Sequence, residues 1–401
     1  MTLSVLSLFT GAGGLDFGFE AAGFETACAV EYDKWACKTL RANRSWKVIE
    51  ADIHDVPSEK MGTADVLIGG PPCQPFSKSA YWALGDTKRL NDPRADTLSA
   101  FLRVLRDTKP RAFLLENVVG LTFKGKDEGF RLLESTVKKI NDEIGTNYSF
   151  EWKVLNSADF GVPQNRERVF IVGARDGRKF RFPEATHQNP KADSNDLFKN
   201  GYCQWTTAWD AIGELENETD GTSGIISGKW GDLLPTIPEG ENYLWHTDRS
   251  GGLPIFGWRR RYWTFLLKLA KNRPSWTIQS QPGSATGPFH WKNRRLTSKE
   301  LCRLQSFPDG CVIEGSKTEV QRQMGNAVPS LLAEVLASEI RSQLLDTPLN
   351  RKTPKLSITK LGSPPPPEPV LKVPEKYLEF VGEHLPHPGT GKGRLVAGMS
   401  G

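Results

Sequence analysis

A single cysteine lies in a stiff turn directly after a predicted buried strand. The run 64–68 is apolar and bounded by turn residues, which predicts a short parallel strand. Two glycines, Pro71 and Pro72 follow, so the backbone is restricted where it presents Cys73. A thiol at the carboxyl end of such a strand is well placed to attack a molecule bound in the crevice there. The alternative is a small buried thiol, the commoner state of a free cysteine.

Charged residues also lie at two other predicted strand ends. The apolar run 111–115 ends in Glu116, and Gln-Asn-Arg-Glu-Arg, with Arg166 and Arg168, precedes the apolar run 169–172. These ends are expected on the same side of the sheet as the cysteine turn. A carboxyl and a guanidinium there could stabilise charge that develops on a substrate. The alternative is a structural ion pair between strands.

The chain opens with a predicted strand, a glycine-rich turn and a helix. Gly11, Gly13 and Gly14 would let a ligand approach the backbone and the helix N-terminus. The predicted second strand ends in Glu31, which suits two ribose hydroxyls, and Asp52 after a possible third strand could accept from an adenine amino group. The Gly-x-Gly-Gly spacing favours S-adenosylmethionine over a dinucleotide, because S-adenosylmethionine has no pyrophosphate. A plain tight turn and a surface carboxylate are the alternatives.

The composition is that of a globular chain with two or three domains. It has 401 residues, of which 38% are hydrophobic and 25% charged, and no apolar run long enough to cross a membrane. The six cysteines contain no Cys-x-x-Cys pair and the six histidines show no ligand spacing, so we expect a reducing compartment and no metal site. The N-terminal run predicts a strand rather than a signal peptide. A cytoplasmic location is therefore expected, and the net charge of +5 permits nucleic acid binding without arguing for it.

The regular alternation of strands and helices stops near residue 174. The segment 174–293 is rich in Gly, Pro and Trp, with eight of the twelve tryptophans between 205 and 291. Basic and aromatic residues are interleaved there, so a nucleic acid surface fits this pattern as well as an ordinary solvated face does. The arginines singled out as DNA contacts are Arg259, Arg260, Arg261, Arg294 and Arg295.

Helical patterning returns after this segment. Thr297 and Glu300 form the sequence pattern of a capping box, and an amphipathic helix is predicted over 331–345. We expect this helix to pack on the first domain, so that the irregular segment is an insertion. The predicted division is a catalytic and cofactor-binding domain at 1–173, an inserted irregular domain at 174–293, a return to the catalytic domain at 294–345, and a proline-rich, flexible tail at 346–401.

Taken together, these motifs resemble the DNA (cytosine-5)-methyltransferase family, of the bacterial and phage restriction-modification type. Pro-Cys-Gln, Glu-Asn-Val and Gln-Asn-Arg-Glu-Arg occur in the family's order, and the resemblance covers 1–345. It implies an α/β, Rossmann-like S-adenosylmethionine-dependent methyltransferase domain with an inserted, smaller and irregular target-recognition domain. The family often has an aromatic residue directly after the ribose-binding acid, which favours Tyr32 over Trp35. The implied cofactor contacts are Phe9, Gly11, Gly13, Gly14, Glu31, Tyr32, Asp52, Ile53, Pro71, Leu98, Asn326 and Val328.

The resemblance also implies a reaction. Cytosine C5 is too weak a nucleophile to take a methyl group unaided, so Cys73 would add to C6 as a thiolate and convert the ring to an enamine. Glu116 would bind or protonate N3, and Arg168 would hydrogen-bond the base carbonyl or a phosphate. Arg166 would order this cluster. The base would have to leave the duplex stack, and the group that removes the C5 proton is unassigned.

Three functions fit the sequence. The leading one is methylation of a cytosine in a specific double-stranded DNA sequence, and the others are methylation of RNA and DNA binding by a catalytically inactive relative. The aromatic-rich recognition segment favours DNA, and the joint presence of Cys73, Glu116, Arg166 and Arg168 disfavours an inactive protein. Double-stranded DNA is the expected partner, with a cognate restriction endonuclease as a further one. A monomer that does not enter a membrane is expected.

Overall fold

The computed structural model describes residues 2–72, 96–122, 128–189, 201–220, 224, 226, 228–258 and 263–384. Within these ranges, the first half of the chain forms a sheet covered by helices, and an irregular part follows residue 174. Cys73 and Arg259, Arg260 and Arg261 lie outside the described residues.

The described strands of the first half form a seven-stranded sheet in the order β3-β2-β1-β4-β5-β7-β6. The first five strands run parallel, whereas β7 is antiparallel to β5 and β6. The order reverses between β1 and β4, and ligands of such sheets bind at the carboxyl ends near this point. The predicted α/β, Rossmann-like fold is therefore confirmed. The strands are β1 Leu3–Leu8, β2 Phe24–Glu31, β3 Val48–Glu50, β4 Val66–Gly69, β5 Ala112–Asn117, β6 Ser149–Asn156 and β7 Glu167–Ala174.

The central strands are buried on both faces because alternate side chains enter two separate apolar clusters. Val5 and Ile68 point into one cluster, and Leu6 and Leu67 point into the other. The first cluster is covered by α1 and α9, and the second by α4 and α5. The helices are α1 Gly14–Ala21, α2 Lys34–Asn43, α3 Ser58–Met61, α4 Asp96–Thr108, α5 Glu128–Ile144, α6 Ala208–Ile212, α7 Ser298–Leu304, α8 Lys317–Asn326 and α9 Ser330–Gln343.

The segment 174–293 has little regular structure but builds a core of its own. Its short strands are β8 His187–Gln188 and β9 Cys203–Gln204. Leu233, Tyr243 and Phe289 belong to one apolar cluster that is separate from the sheet. Single-turn 3-10 helices supply much of its local order, at Gly213–Leu215, Gly231–Thr236 and Tyr243–His246.

The chain after Leu345 is packed against the rest of the molecule as far as His384. The backbone N–H of Leu371 donates to the Pro235 carbonyl (3.0 Å), and that of Gly382 donates to the Pro254 carbonyl (3.2 Å). Tyr377, in the 3-10 helix Glu375–Phe380, is fully buried. The prediction of a flexible tail is therefore wrong for residues 346–384. Side chains on either side of the proline run anchor it. Residues 385–401 lie outside the described ranges.

Membrane-spanning helices and clusters of metal ligands were sought within the described ranges. No helix in them combines the length and apolar character needed to cross a membrane. The same residues contain no group of three or more His, Cys, Asp or Glu side chains that could hold a metal ion.

Close contact between α1 and α9 gives a test of this packing. A Cβ atom at Gly18 would lie 2.5 Å from the Ser330 carbonyl oxygen and would also strike Ala333. Gly18→Ala should therefore lower the free energy of unfolding by about 1–3 kcal/mol through overpacking. In a helix without this contact, the same change stabilises by roughly 0.5–1 kcal/mol. Urea unfolding of Gly18→Ala would show the loss, and Ser99→Ala on the exposed side of α4 is the control. Equal or greater stability of Gly18→Ala would contradict the helix contact.

Candidate active site and cofactor site

The turn that leads to Cys73 runs past the end of β5. A Cβ atom at Gly70 would lie 3.0 Å from Glu116 Oε2, so glycine lets the turn approach this carboxyl. The side-chain amide of Asn117 donates to the Pro71 carbonyl oxygen (3.2 Å). Both contacts tie the turn to the strand end that carries Glu116. Two of the motifs singled out in the sequence are therefore adjacent in space.

Glu116 forms an ion pair with Arg168 across the neighbouring strands β5 and β7. Arg168 Nε lies 3.0 Å from Glu116 Oε1, with side-chain exposures of 18% and 11%. Burial raises the pKa of Glu116, although the positive charges of Arg168 and Arg166 act in the opposite direction. A carboxyl in this setting can hold a proton closer to neutral pH than an exposed one, so it can donate to a ring nitrogen as well as accept.

Arg166 is buried behind this pair and connects three distant parts of the chain. Its side chain is almost wholly inaccessible, and Nη2 donates to the Gly325 carbonyl oxygen (2.9 Å). Nη1 donates more weakly to the Ile278 carbonyl oxygen (3.4 Å), and the backbone N–H of Arg166 donates to Asn156 Oδ1 (3.1 Å). These contacts give Arg166 an organising position rather than an open face towards a substrate.

The segment around Ser275 also reaches this site, which no local sequence pattern predicts. The backbone N–H of Asn165 donates to the Ser275 carbonyl (2.8 Å), and that of Ser275 donates to the Pro163 carbonyl (2.8 Å). The N–H of Ile278 donates to Gln164 Oε1 (3.1 Å). Pairing across more than a hundred residues leaves no local pattern. The available signal was Gln164, a polar residue that is fully buried here and must then find partners within the protein.

The glycine-rich turn after β1 begins at a residue with a strained backbone and has free space on one side. Phe9 adopts a positive φ of 54°, which is costly for a residue with a large side chain. Gly11 and Gly13 also have positive φ, and a Cβ atom at Gly11 would meet no described atom within 4 Å. The N–H of Gly11 donates to Glu31 Oε2 (2.7 Å), and burial raises the pKa of Glu31. The turn is thus held against the acid at the end of β2 with space beside it.

Gly14 has a different environment from the other two glycines. A Cβ atom there would clash with the carbonyl oxygen of Val328, so Gly14 is needed for close packing of α1 on the segment before α9. Val328 itself is buried, whereas Asn326 at the end of α8 is exposed. The last predicted cofactor residues therefore meet the glycine-rich turn at its Gly14 side.

The aromatic residues next to Glu31 differ in what covers them. The Tyr32 side chain is 69% exposed. The Trp35 ring is covered by Lys38, with Nζ 4.5 Å from the ring centre, and by Lys34 at 5.5 Å. A flat ligand can stack on Tyr32 without displacing a side chain, which favours Tyr32 over Trp35.

The remaining cofactor candidates lie near the ends of β3 and α4. Asp52 is exposed, and its Oδ1 accepts from the His54 N–H (3.0 Å). Ile53 and Leu98 belong to the apolar cluster that also receives Phe9. Open space at Gly11, the acids Glu31 and Asp52 and these apolar side chains fit the nucleoside part of S-adenosylmethionine, which offers hydroxyls, an amino group and a flat ring.

Arg294 and Arg295, the two predicted DNA contacts that lie within the described residues, both bond to other parts of the protein. Arg294 forms an ion pair with the fully buried Glu300 (2.7 Å) and also donates to the Glu216 carbonyl. Arg295 donates to the Ser284 carbonyl (2.6 Å), and its guanidinium lies 5.6 Å from the Phe289 ring centre. Arg294 therefore has a structural role that explains its presence without DNA, and Arg295 is only partly available.

The fold and this site define an S-adenosylmethionine-dependent methyltransferase of the Rossmann-like class. Residues 3–342 match the family model of the C-5 cytosine-specific DNA methylases, and the chain belongs to that family. It is 40% identical over 373 residues to the type II methyltransferase M.SacI of Streptomyces achromogenes, a match that covers 85% of this chain and 93% of M.SacI. It is 37% identical over 342 residues to M.NgoFVII of Neisseria gonorrhoeae, covering 84% and 86%.

Solved structures agree on the fold. The Entamoeba histolytica methyltransferase EhMeth aligns with a TM-score of 0.57 at 16% identity, over 86% of this chain and 99% of the other. A mutant of Spodoptera frugiperda DNMT2 aligns with a TM-score of 0.56 at 17% identity, over 84% and 99%. The protein is a DNA (cytosine-5)-methyltransferase that uses S-adenosylmethionine, and the family match favours this function over RNA methylation or an inactive relative.

The contributions of Tyr32 and Trp35 to S-adenosylmethionine binding can be compared by substitution. Tyr32→Ala should weaken S-adenosylmethionine binding by roughly ten- to a hundredfold, because stacking on an aromatic ring contributes about 1–3 kcal/mol per base. Trp35→Ala should change it by less than about threefold, because lysine side chains already cover that ring. Calorimetric titration with the cofactor measures both. The reverse order of effects would assign the adenine contact to Trp35.

The pKa of Glu116 predicts a pH dependence. If protonated Glu116 is the active form, the single-turnover methylation rate should fall as pH rises through its raised pKa. Removing the Arg168 cation raises that pKa further, so Arg168→Met should move the falling limb to higher pH, whereas Arg168→Lys should leave it near its original position. Glu116→Gln should lower the rate by roughly a hundredfold or more and abolish the limb. A limb that persists in Glu116→Gln would belong to another group.

Proposed function

We propose that this enzyme methylates C5 of one cytosine within a specific double-stranded DNA sequence, with the target base turned out of the helix. The observation that carries this proposal is the buried Glu116–Arg168 pair beside the turn that leads to Cys73. A polar pair in that position suits the edge of a flipped cytosine, which presents N3 and O2 together. A base still stacked in a duplex could not reach a site so enclosed.

In this mechanism, the Cys73 thiolate forms a bond to cytosine C6. Protonated Glu116 hydrogen-bonds or transfers its proton to N3, which receives the electron density displaced by the addition, and Arg168 holds the adjacent carbonyl. C5 then takes the methyl group. Bound S-adenosylmethionine supplies that group as an electrophilic methyl on a sulfonium. Loss of the C5 proton and departure of Cys73 restore the aromatic ring.

The cofactor would lie between the glycine-rich turn and the ends of β2, β3 and α4. Glu31 would accept from the ribose hydroxyls, Tyr32 would stack on the adenine, and Asp52 would accept from its amino group. The close approach of Gly70 to Glu116 supports a methyl donor and a base in adjoining pockets. The full proposed set is Phe9, Gly11, Gly13, Gly14, Glu31, Tyr32, Asp52, Ile53, Pro71, Leu98, Asn326 and Val328.

The segment 174–293 would read the DNA sequence. It has a core of its own, and its interleaved basic and aromatic residues suit phosphate and base contacts. Arg249 lies over the Trp258 ring at 4.0 Å, and Trp258 directly precedes the predicted contacts Arg259, Arg260 and Arg261 in the sequence. We retain Arg295 in the proposed set and assign Arg294 a structural role.

The names of the relatives suggest a biological setting. M.SacI and M.NgoFVII are both type II methyltransferases, so we infer that this enzyme protects a target site from a cognate restriction endonuclease. It would act on DNA in the cytoplasm as a monomer. Bisulfite sequencing of DNA from cells that express the chain would give the modified sequence, and absence of any methylated motif would refute the proposal.

Covalent catalysis by Cys73 predicts a trapped complex. With S-adenosylmethionine present, DNA carrying 5-fluorocytosine at the target should become joined to the protein, because fluorine cannot leave C5 as a cation. The adduct should survive denaturing electrophoresis, and a digest should locate it on Cys73. Cys73→Ala should form no adduct while binding the cofactor normally, and Cys203→Ala, which removes an exposed thiol, is the matched control. Methylation of ordinary DNA without any trapped species would argue against covalent addition.

A further inference from the structure

Residues 351–384, here called the strap, connect the two parts of the molecule. The strap begins on the catalytic core at Glu334 of α9, a fully buried acid. The backbone N–H groups of Lys355 and Leu356 donate to its two oxygens (2.7 and 2.9 Å), and Arg351 forms an ion pair with it. A buried carboxylate needs such partners, so this end of the strap is firmly held.

The middle of the strap is held by a buried lysine of the recognition segment. Lys271 is 2% exposed, and its Nζ lies 2.7 Å from Glu239 Oε1 and 3.0 Å from Glu368 Oε1. The same Nζ donates to the Pro366 carbonyl oxygen (3.1 Å). Two of the three acceptors therefore come from the strap. Lys292 provides a second cation to Glu368 at 3.0 Å. Removing one partner would leave a buried charge poorly compensated.

The far end of the strap completes the core of the recognition segment. Tyr377 is 1% exposed and belongs to the same apolar cluster as Leu233 and Phe289. Its ring stacks on Trp230, with ring centres 5.6 Å apart and planes at 21°, and its hydroxyl donates to the Lys229 carbonyl (2.6 Å). The strap thus supplies part of this core instead of lying on a finished surface.

We propose that the strap is part of the DNA-recognition unit and fixes the orientation of the recognition segment on the catalytic core. This inference depends on the proposed role of residues 174–293 in reading DNA. The enzyme must hold its contacts to the sequence and its pocket for the flipped base in one geometry, and small misplacements are costly. One end of the strap is bonded to α9 and the other is buried in the recognition core. Lys271, Glu368 and Tyr377 are positioning residues for sequence specificity.

This role differs measurably from simple stabilisation. Partial unfolding lowers the concentration of active enzyme and hence the rate on every DNA alike. Misorientation of the recognition segment raises KM for DNA and lowers the preference for the cognate sequence over sequences with one base changed. Cofactor affinity should stay within about twofold of wild type in variants of Glu368 and Tyr377, since these side chains contact Lys271, Lys292 and Trp230, none of which is a proposed cofactor residue.

The first test uses the full chain with single substitutions. Glu368→Gln and Tyr377→Ala should each raise KM for DNA or lower the cognate preference by roughly three- to tenfold, the effect expected when a buried charge pair or aromatic contact is lost. Glu368→Asp should restore part of the loss, and Glu379→Gln, an exposed change on the strap, should have no effect. The amount of protein trapped on 5-fluorocytosine DNA gives the concentration of active enzyme. The kcat can then be expressed per folded enzyme molecule. Unchanged KM and preference in both variants, at any stability, would overturn the proposal.

The second test separates the strap from the recognition segment. A type II relative with a different target would receive residues 174–293 alone, or 174–293 together with the strap, residues 351–384, and the methylated sequence would be read by bisulfite sequencing. The proposal would be supported if specificity is transferred only by the chimera that includes the strap, or at least tenfold better by that chimera than by the one without it. Full transfer by 174–293 alone would refute the role of the strap while preserving the recognition segment. Retention of the host sequence by both chimeras, with cofactor binding intact, would refute the recognition assignment itself.

Discussion

The site depends on the burial of one positive charge. Arg166 has its guanidinium wholly inside the protein, where an unpaired charge would be costly. Its oxygen partners come from Gly325, before the last helix, and Ile278, in the recognition segment. Glu116 lies beside this cluster, where the charges of Arg168 and Arg166 oppose the burial that raises the pKa of its carboxyl. The polar cluster can therefore form only after the sheet, the recognition segment and the end of the fold have come together, so catalytic geometry is a property of the complete chain.

Local sequence patterns predicted the strands and the helix cap, which depend on residues that are close together in the sequence. The apolar runs 64–68 and 111–115 became strands in which both faces are buried, and Thr297 with Glu300 forms the capping box that its sequence indicated. The turn after the first run meets Glu116 and Asn117 at the end of the second because parallel strands end together. The contact between Asn165 and Ser275 was not predictable in this way, since neither residue has a periodic signal and the bond joins backbone atoms.

The error about the tail has a specific cause. A run of prolines indicates an extended chain, and it says nothing about whether side chains beyond the run find partners. Glu334 is the residue that could have indicated the anchoring. It is an acid within the run Leu-Leu-Ala-Glu-Val-Leu-Ala, so it must be buried when the helix packs. A buried acid requires hydrogen-bond donors. Those donors are backbone N–H groups at Lys355 and Leu356. The proline-rich composition of this segment therefore carried no information about its anchors.

The contacts between recognition and catalysis have a consequence for how specificity can change. Ser275 and Ile278 meet the catalytic motif through their backbone N–H and carbonyl groups, and Thr277 between them adds one side-chain bond, from its Oγ1 to the Asn165 carbonyl (2.7 Å). Backbone contacts persist when side chains are replaced, provided that the local path of the chain is kept. Under its proposed role in reading DNA, the segment 174–293 can therefore vary in the residues that face DNA while the same bonds hold it to the buried arginine. The strap adds side-chain contacts at Lys271 and Tyr377, and these must be kept together with their partners when the segment changes.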